Sequence, residues 1–536
     1  MKEPWWKEAV IYQIYPRSFL DSGDDGVGDI RGIISKLDYL NDGTERSLGI
    51  DAIWLNPVYP SPQYDFGYDI MDFRGIDPQY GTMADFEELL REAHKRNIRI
   101  IMDIVPSVTS HLHPWFIESR SSRDNPRRDW YIWQDAPPNR KYPNNWLGAF
   151  GGRAWDWDKK TGQFYYHNSL PEQPDLNWRN PEVEREILDV LDFWFQKGVD
   201  GFRIDVLNYP YKDKYFRSNP YCIGIRPYDM QKHLYDKDLP ESVEVGKKMR
   251  LVADRYPDRM LVAEVYNFDP EEAVRYYGED RDGPHMVFNF SAAFSPFRAS
   301  AFQKKVERWE ELVADRGWPC YFFSNHDIPR HITRFSLGQG RWATERARVA
   351  AAFLLTIRGT PFLYMGEEIG MKSYFMKKKD LMDPVGIRYW PFYGRDWART
   401  PVQWNDGLHA GFSGAKPWLP VNPDYRECNV QAQENDPGSL LNWYRKLIWL
   451  RKKHSALGGG KLIFLRGLPE GLLGYLRRDE KEEILVLLNF TAAPGKCALL
   501  HGSKRVEELL SYEARLDGEK LYLGRYGIFI AGLKSV

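Results

Sequence analysis

Gly201-Phe202-Arg203-Ile204-Asp205-Val206 is a short apolar run carrying two charges set two residues apart. In an extended strand successive side chains point to opposite faces, so Arg203 and Asp205 share one face and Phe202 and Ile204 the other. Seven further apolar runs of similar length lie on either side: Ala9–Ile14, Asp51–Leu55, Arg99–Val105, Leu261–Val265, Met286–Phe290, Cys320–Ser324 and Thr360–Tyr364. Several lack alternation, as expected of parallel strands covered on both faces. Helical patterns separate them. Phe86, Leu89, Leu90 and Ala93 mark one apolar stripe, and Val183, Ile187, Leu191 and Phe195 another at a four-residue step. Eight repeated strand–helix units predict an α/β fold, a (β/α)8 TIM barrel.

Two stretches break the alternation. Residues 106–174 are rich in Trp, Tyr, Asn, Gly and Pro and read as a subdomain inserted after the third strand. Beyond the helix Leu440–His454, β-type runs at Leu462–Phe464, Leu473–Leu476, Ile484–Leu488 and Ile528–Ile530 predict a C-terminal antiparallel β-domain. The expected division is therefore 1–105 with 175–455 for the barrel, 106–174 for the insertion and 456–536 for a C-terminal β-sandwich.

The bulk composition narrows the function classes. The 536 residues exceed one ordinary domain, and a 43% hydrophobic content suffices for a large core. Lys and Arg number 74 against 75 Asp and Glu, a balance that argues against a nucleic acid or an anionic membrane as the main partner. Aromatic content is 15% with 20 Trp, which fits either bulky barrel packing or sugar rings stacked on aromatic faces. The four cysteines, Cys222, Cys320, Cys428 and Cys497, have neither disulfide-framework nor metal-site spacing. Met1-Lys2-Glu3-Pro4-Trp5-Trp6 has no apolar signal core and no run reaches membrane-spanning length, so the expectation is a soluble, cytoplasmic protein.

TIM-barrel enzymes carry their reacting groups at the C-terminal ends of the strands. The fourth run ends at Asp205, the fifth at Glu264 and the seventh at Asn325-His326-Asp327, so three carboxylates converge above one barrel mouth. Arginine beside Asp205 favours its ionised form, as a nucleophile requires, while a carboxyl in the apolar strand of Glu264 is set to rise in pKa and act as an acid. Two carboxylates about 5–5.5 Å apart are the apparatus of a retaining glycosidase.

At these residues the chain resembles the α-amylase superfamily, in its oligo-1,6-glucosidase and α-glucosidase branch. The resemblance runs over nearly the whole length. Its segments are Ala9–Phe19, Asp65-Phe66-Gly67-Tyr68-Asp69, the run at 201–206, Glu264, Asn325-His326-Asp327, Gln173–Trp178 and Arg399–Trp404. It implies Asp205 as nucleophile, Glu264 as acid/base and Asp327 as the acid that binds and distorts the sugar. It also implies Arg203 and His326 as groups holding the reacting glucose, Asp65 and Arg399 as the pair gripping its non-reducing end, Tyr68 as its stacking platform, and Phe150 near the substrate. A closed pocket of this kind implies exo-action on short α-glucosides, small molecules cleaved without a cofactor for the chemistry. Transfer of glucose is an expected companion activity. A dedicated α-glucosyltransferase or sucrose-type isomerase is the alternative, and a non-catalytic interaction barrel would have lost the three acids. Val206, after the nucleophile, leans towards α-1,6 bonds.

Two departures from the family pattern stand out. After the third strand the family usually reads Asp-x-Val-x-Asn-His-Thr-Ser, whereas this chain reads Asp103-Ile104-Val105-Pro106-Ser107-Val108-Thr109-Ser110. Val108 replaces a glucose-binding His and cannot donate a hydrogen bond, which leaves His111 or His113 as candidate substitutes. The second is the loop Asp21–Asp29, whose alternating oxygen donors suit Ca2+ or Mg2+. The resemblance implies Asp21, Asp25, Asp29 and the Val27 carbonyl as ligands of a structural ion, with Gly23 standing where an Asn ligand is usual. Lys377-Lys378-Lys379-Asp380 reads as a solvated loop, and Trp130, Trp133, Trp146, Trp155 and Trp157 as the core of the insertion.

Overall fold

The computed structural model describes residues 3–139, 141–498 and 504–535. Met1 and Lys2, which entered the reading of the N-terminus, and the end of the C-terminal stretch at 536 lie outside the described residues. Eight parallel strands follow one another as β1 (Ile11–Ile14), β2 (Ala52–Leu55), β3 (Arg99–Ile104), β4 (Gly201–Ile204), β5 (Met260–Ala263), β6 (Met286–Val287), β7 (Cys320–Phe322) and β8 (Thr360–Tyr364). Neighbours in sequence pair from β1 to β6, β7 pairs β8, and β8 returns to β1. A single parallel bridge between Phe288 and Cys320 closes the ring between β6 and β7. The chain is thus an α/β protein built on a TIM barrel, as the strand count predicted.

Strand alternation sorts the core into two bodies. Ile11, Trp54, Ile101, Val262, Phe322 and Phe362 pack inside the barrel. Their neighbours Tyr12, Ile53, Ile100, Leu261, Tyr321 and Leu363 pack outward in the larger cluster beneath the helices. Phe202 and Ile204 belong to that outer cluster. Arg203, on the opposite face, is therefore driven into the barrel, where its guanidinium lies 5.1 Å from the Trp54 ring.

The outer helices start where the sequence caps them. Thr82 accepts from the Asp85 N–H while the Asp85 side chain accepts from Thr82, a capping box opening helix Met83–Lys95. Asn180 caps Pro181–Gln196, with proline at its first position. Both bury the apolar stripes expected of them. Between β3 and β4 the insertion folds around a three-stranded antiparallel sheet, Trp133–Gln134, Trp155–Asp158 and Gln163–Tyr166. Trp146 and Trp155 fill its core, Trp130 is buried against the barrel's outer cluster, and Trp133 is half-buried. Trp157 is exposed.

The last segment is antiparallel; among the described residues between Lys461 and Ser535, six strands form one hydrogen-bonded sheet rather than the two expected of a sandwich. The long strand Lys520–Ser535 pairs with Gly495–Ala498 at one end, Glu483–Asn489 at the other and Lys504–Asp517 along its length. Two register shifts, at Glu508/Leu510 and Tyr512/Ala514, mark bulges of the kind that bend a strand, and a small apolar core packs on side chains of this sheet. Among the described residues no helix is long and apolar enough to cross a membrane.

Candidate active site

The barrel ladder delivers the acids. Asp103 pairs with Arg203 in the β3–β4 register, and Arg203 with Val262 in β4–β5. Beyond the strand ends the ladder continues, with Asp205 N–H bonding Ile104 O at 2.9 Å and Glu264 N–H bonding Ile204 O at 2.8 Å. Asp205 and Glu264 are thereby fixed side by side. One Arg203 guanidinium serves the group: Nη1 donates to Asp205 Oδ1 (2.8 Å) and Asp103 Oδ1 (2.9 Å), and Nη2 donates to Glu264 Oε2. Both catalytic candidates face the same pocket, which Asp65, Tyr68, Phe150 and Asp327 also line.

The charge count of this cluster sets its protonation. Three carboxylates crowd one cation out of water, so the group holds on to a proton near neutral pH. Burial pushes Glu264 up to about 7, opposed by Arg203 and reinforced by Asp327 and Asp103. The expectation that Arg203 alone keeps Asp205 ionised is corrected: burial raises Asp205 well above the usual carboxylate range, outweighing the pull of Arg203, and Glu264 and Asp103 push the same way.

Asp327 behaves in the opposite way. Asn325 Oδ1 accepts from the Asp327 and Ile328 N–H groups and fixes the turn. Burial opposes ionisation of Asp327, but His326, Arg395 and Arg399 outweigh it and hold the carboxyl well below the usual range. His326 is buried and pushed down to about 4 by that burial. Gln13 Nε2 lies 2.8 Å from His326 Nδ1, which leaves Nε2 facing Asp327 Oδ2 at 3.0 Å and the Tyr68 hydroxyl at 2.9 Å. The Tyr68 ring stacks on His326 with centroids 5.4 Å apart, and its hydroxyl donates to Asp103 Oδ2 at 2.9 Å.

At the closed end, the partner expected for Asp65 is corrected. Arg395 Nη2, not Arg399, donates to Asp65 Oδ1 at 2.7 Å. Arg395 also chelates Asp383 through Nε (3.2 Å) and Nη2 (2.8 Å), lies 3.4 Å from Asp327 Oδ1 and sits 4.5 Å from the Phe150 ring centroid. Arg399 stands behind it, donating to His326 O (2.7 Å) and Asp327 Oδ1 (2.8 Å). The two arginines flank the 3-10 turn Asp396–Ala398, and the family resemblance singles out the second of them. Asp65 is presented by the turn Asp65–Tyr68, where Gly67 takes φ 107° and a Cβ would meet Pro57 O at 3.0 Å. Arg203, His326 and Arg399 underlie the pocket wall, while Asp65, Tyr68, Phe150, Asp205, Glu264 and Asp327 form it.

Ser107 and Val108 also form part of the wall. Neither candidate substitute histidine does. His113 caps helix Pro114–Ser119, with Nδ1 accepting from Trp115 N–H, and His111 turns to the Glu172 carbonyl and the Tyr64 ring. Asp103, Asp383 and Arg395 are the functional candidates missed at the level of sequence. Asp103 carried a signal: it stands two residues from inward-facing Ile101 and so shares its face.

The carboxylates of the Asp21–Asp29 loop, expected to hold an ion, accept hydrogen bonds from the loop's own backbone. Asp21 Oδ1 and Oδ2 accept from Gly23 and Gly26 N–H, Asp25 Oδ1 from Val27 N–H, and Asp29 from Ser22 and Gly32 N–H. Ser413 Oγ adds a further donor to Asp21. N–H groups hold the oxygens a cation would need, and among the described residues no group of three or more His, Cys, Asp or Glu is disposed to hold a metal ion. The 377–380 segment is a short 3-10 turn with its three lysines exposed.

Comparison with known proteins agrees with the geometry. The alpha amylase catalytic-domain model matches residues 13–460. A probable alpha-glucosidase of Rhizobium meliloti (strain 1021) is 40% identical over 97% of each chain, and an oligo-1,6-glucosidase of Parageobacillus thermoglucosidasius is 41% identical over 92% of this chain and 91% of its own. Among solved structures, the alpha-glucosyl transfer enzyme XgtA superposes with a TM-score of 0.94 at 39% identity, covering 99% of this chain and 100% of that one. A barrel of this topology, with acids after β4, β5 and β7 and a family model spanning most of its length, makes the chain a member of the alpha-amylase family of glycoside hydrolases.

Proposed function

We propose that the chain is a retaining, exo-acting α-glucosidase that cleaves short α-glucosides and transfers glucose to acceptors. The observation that carries this reading is the sharing of Arg203 by Asp205 and Glu264 at the floor of a pocket whose far end is plugged by Asp65 and Arg395. Two carboxylates held by one guanidinium suit the short separation of the two-step route.

In the first step Asp205 Oδ attacks C1 of the sugar while the C1–O bond to the leaving group breaks. Glu264 gives its proton to the departing oxygen, and the negative charge lost by Asp205 passes to Glu264 as carboxylate. In the second step Glu264 takes a proton from water or an acceptor hydroxyl, whose oxygen attacks C1 and returns Asp205 to its free form. Two inversions retain the anomer. Asp327, ionised, is placed to bind sugar hydroxyls and favour developing positive charge, and the Asp65–Arg395 pair ends the pocket so that only a terminal sugar enters. The expected loop metal supports no step of this route.

For linkage, the family resemblance carries the reading: Val after the nucleophile leans towards α-1,6 bonds in that branch, and Val206 lines the pocket here. Isomaltose over maltose is the expected order. The test is a product time course on maltose, isomaltose, sucrose, trehalose, kojibiose and nigerose, with the released anomer followed by NMR. Initial release of β-glucose would overturn retention, and cleavage inside long chains would overturn exo-action.

A second reading, a dedicated glucosyltransferase, draws support from the aromatic side chains Tyr266, Phe290 and Tyr393 on the pocket wall, which disfavour water at the intermediate. A product profile with and without added acceptor separates the two.

A further inference from the structure

A reacting sugar has four sides, and the barrel assigns each of them. The strands run in order around the ring, so β3 and β7 stand on opposite flanks of the pocket. Asp205 and Glu264, after β4 and β5, define where C1 and the leaving oxygen lie. Asp65, after β2, and Arg395, after β8, meet at the closed end and face C4. Two edges of the ring remain. One carries the adjacent hydroxyls of C2 and C3, and the other carries C5 with its C6 substituent.

The two flanks differ in what they offer those edges. After β7, Asp327 is ionised and has Arg395 and Arg399 on its Oδ1 at 3.4 and 2.8 Å. A charged carboxylate with guanidinium groups beside it suits a pair of neighbouring hydroxyls. After β3 the wall is Ser107 and Val108, continued by Ala149 and Phe150 of the insertion. The diol edge therefore belongs to β7, and the C6 substituent falls on the β3 flank.

Val108 is fixed in that wall. Leu176 N–H donates to Ser107 O at 2.9 Å and Thr109 N–H to Pro174 O at 3.2 Å, so the backbone on both sides of Val108 is pinned to the returning chain. Its isopropyl group neither donates nor accepts a hydrogen bond. A hydroxyl pressed against it gives up water and gains no partner from it, whereas a methyl group in the same place keeps its dispersion contacts. Gln173, on the same flank, already gives Nε2 to Asp65 Oδ2 at 3.1 Å.

We propose that the reacting-sugar end of the pocket does not select for a hydroxyl at C6, so that α-linked 6-deoxyglucosides are substrates alongside α-glucosides. This rests on the α-glucosidase reading above and widens its donor class. Val108 is the residue that sets this tolerance. A site built to hydrogen-bond a substrate hydroxyl rejects the analogue lacking it by about 10^4-fold or more, while an apolar wall discriminates only weakly. The chemistry at C1 is the same for both donors, because neither Asp205 nor Glu264 meets C6.

The test compares kcat/KM of the intact enzyme on 4-nitrophenyl α-glucoside and 4-nitrophenyl 6-deoxy-α-glucoside, which share one leaving group. The expected result is a 6-deoxyglucoside value within about tenfold of the glucoside value, or above it. Val108→His and the isosteric Val108→Thr each put a hydrogen-bonding group into the wall. Each is expected to shift the ratio towards the glucoside, by about tenfold and threefold respectively; a merely damaged enzyme loses both activities together and keeps the ratio. A parent enzyme that prefers the glucoside by more than about tenfold overturns the proposal, leaves the α-glucosidase reading intact and moves the reading of C6 to Ser107, Asn168 or Ser169, the other polar side chains of that flank. An unchanged ratio in both variants overturns the role of Val108. Release of nitrophenol from neither donor overturns both readings.

Discussion

Two arginine-centred clusters meet at the pocket, and they hold their central acids in different ways. At the floor, one guanidinium, Arg203, meets Asp103, Asp205 and Glu264. At the closed end two, Arg395 and Arg399, meet Asp65, Asp327 and Asp383. The number of carboxylates is the same and burial is similar, so the ratio of cations decides. The floor is short of positive charge, which raises Asp205 and Glu264. The closed end is better supplied, and Asp327 and Asp383 are held below the usual range despite burial, while burial still raises Asp65 against the pull of Arg395 and Arg399. One end is thereby fitted to move a proton and the other to hold fixed charge against a sugar.

The comparison breaks first at the nucleophile. Asp205→Asn removes the attacking oxygen, and kcat on 4-nitrophenyl α-glucoside is expected to fall on the order of 10^4-fold. Activity within tenfold of the parent would mean that another group attacks C1. Next is the closed end. Arg395→Ala leaves Asp65 buried without its partner, and losing one member of such a pair costs about 2–5 kcal/mol. The expected fall in kcat/KM is on the order of 10^2-fold or more, carried largely by KM, because the arginine is placed to hold the sugar rather than to react. A fall in kcat alone would reassign it.

The pH profile sharpens the contrast. Glu264 acts in its protonated form, so kcat/KM is expected to decline above about 7 on the basic limb. The negative charge of Asp327 raises Glu264, so Asp327→Asn is expected to move that limb to lower pH as well as lowering activity. Residual activity with an unmoved limb would show that the two clusters do not communicate through charge.

Much of this was legible before any coordinates. The eight strands announced themselves as apolar runs, and Arg203 and Asp205 shared a face by simple alternation. What escaped was information carried by space rather than order. Arg395 and Arg399 sit at the two ends of a short 3-10 turn, and only the fold shows that Asp383 turns the first one towards Asp65. Asp103 was visible as a residue but not as a member of the floor cluster, because its partner lies 100 residues away on the neighbouring strand. The strands Gly495–Ala498 and Lys504–Asp517 carry mixed, largely solvent-facing side chains, so no apolar pattern flagged them. The Asp21–Asp29 loop shows the converse: spacing suited to a cation is also spacing suited to a carboxylate that accepts its own loop's N–H groups.

The smallest expected effect is on stability, and its sign differs between the clusters. Glu264 has a folded pKa of about 7 against an ordinary value of 4.5, so between those values the folded chain binds more proton than the unfolded one. Stability from this group is complete below about 4.5 and is lost as pH rises towards 7. Asp327 is shifted down, so its contribution is present above the ordinary carboxylate value and is lost only as pH falls below it. Between pH 5 and 7.5 the contribution of Glu264 therefore weakens while that of Asp327 is unchanged. Replacing Glu264 with Gln removes the titration, so the thermal midpoint of Glu264→Gln is expected to fall less across that window than that of the parent. The difference, read by calorimetry at matched ionic strength, tests the proton count directly. Equal slopes would mean that the cluster's proton does not reside on Glu264, and the assignment of the acid would then pass to Asp205, the carboxyl that shares its guanidinium.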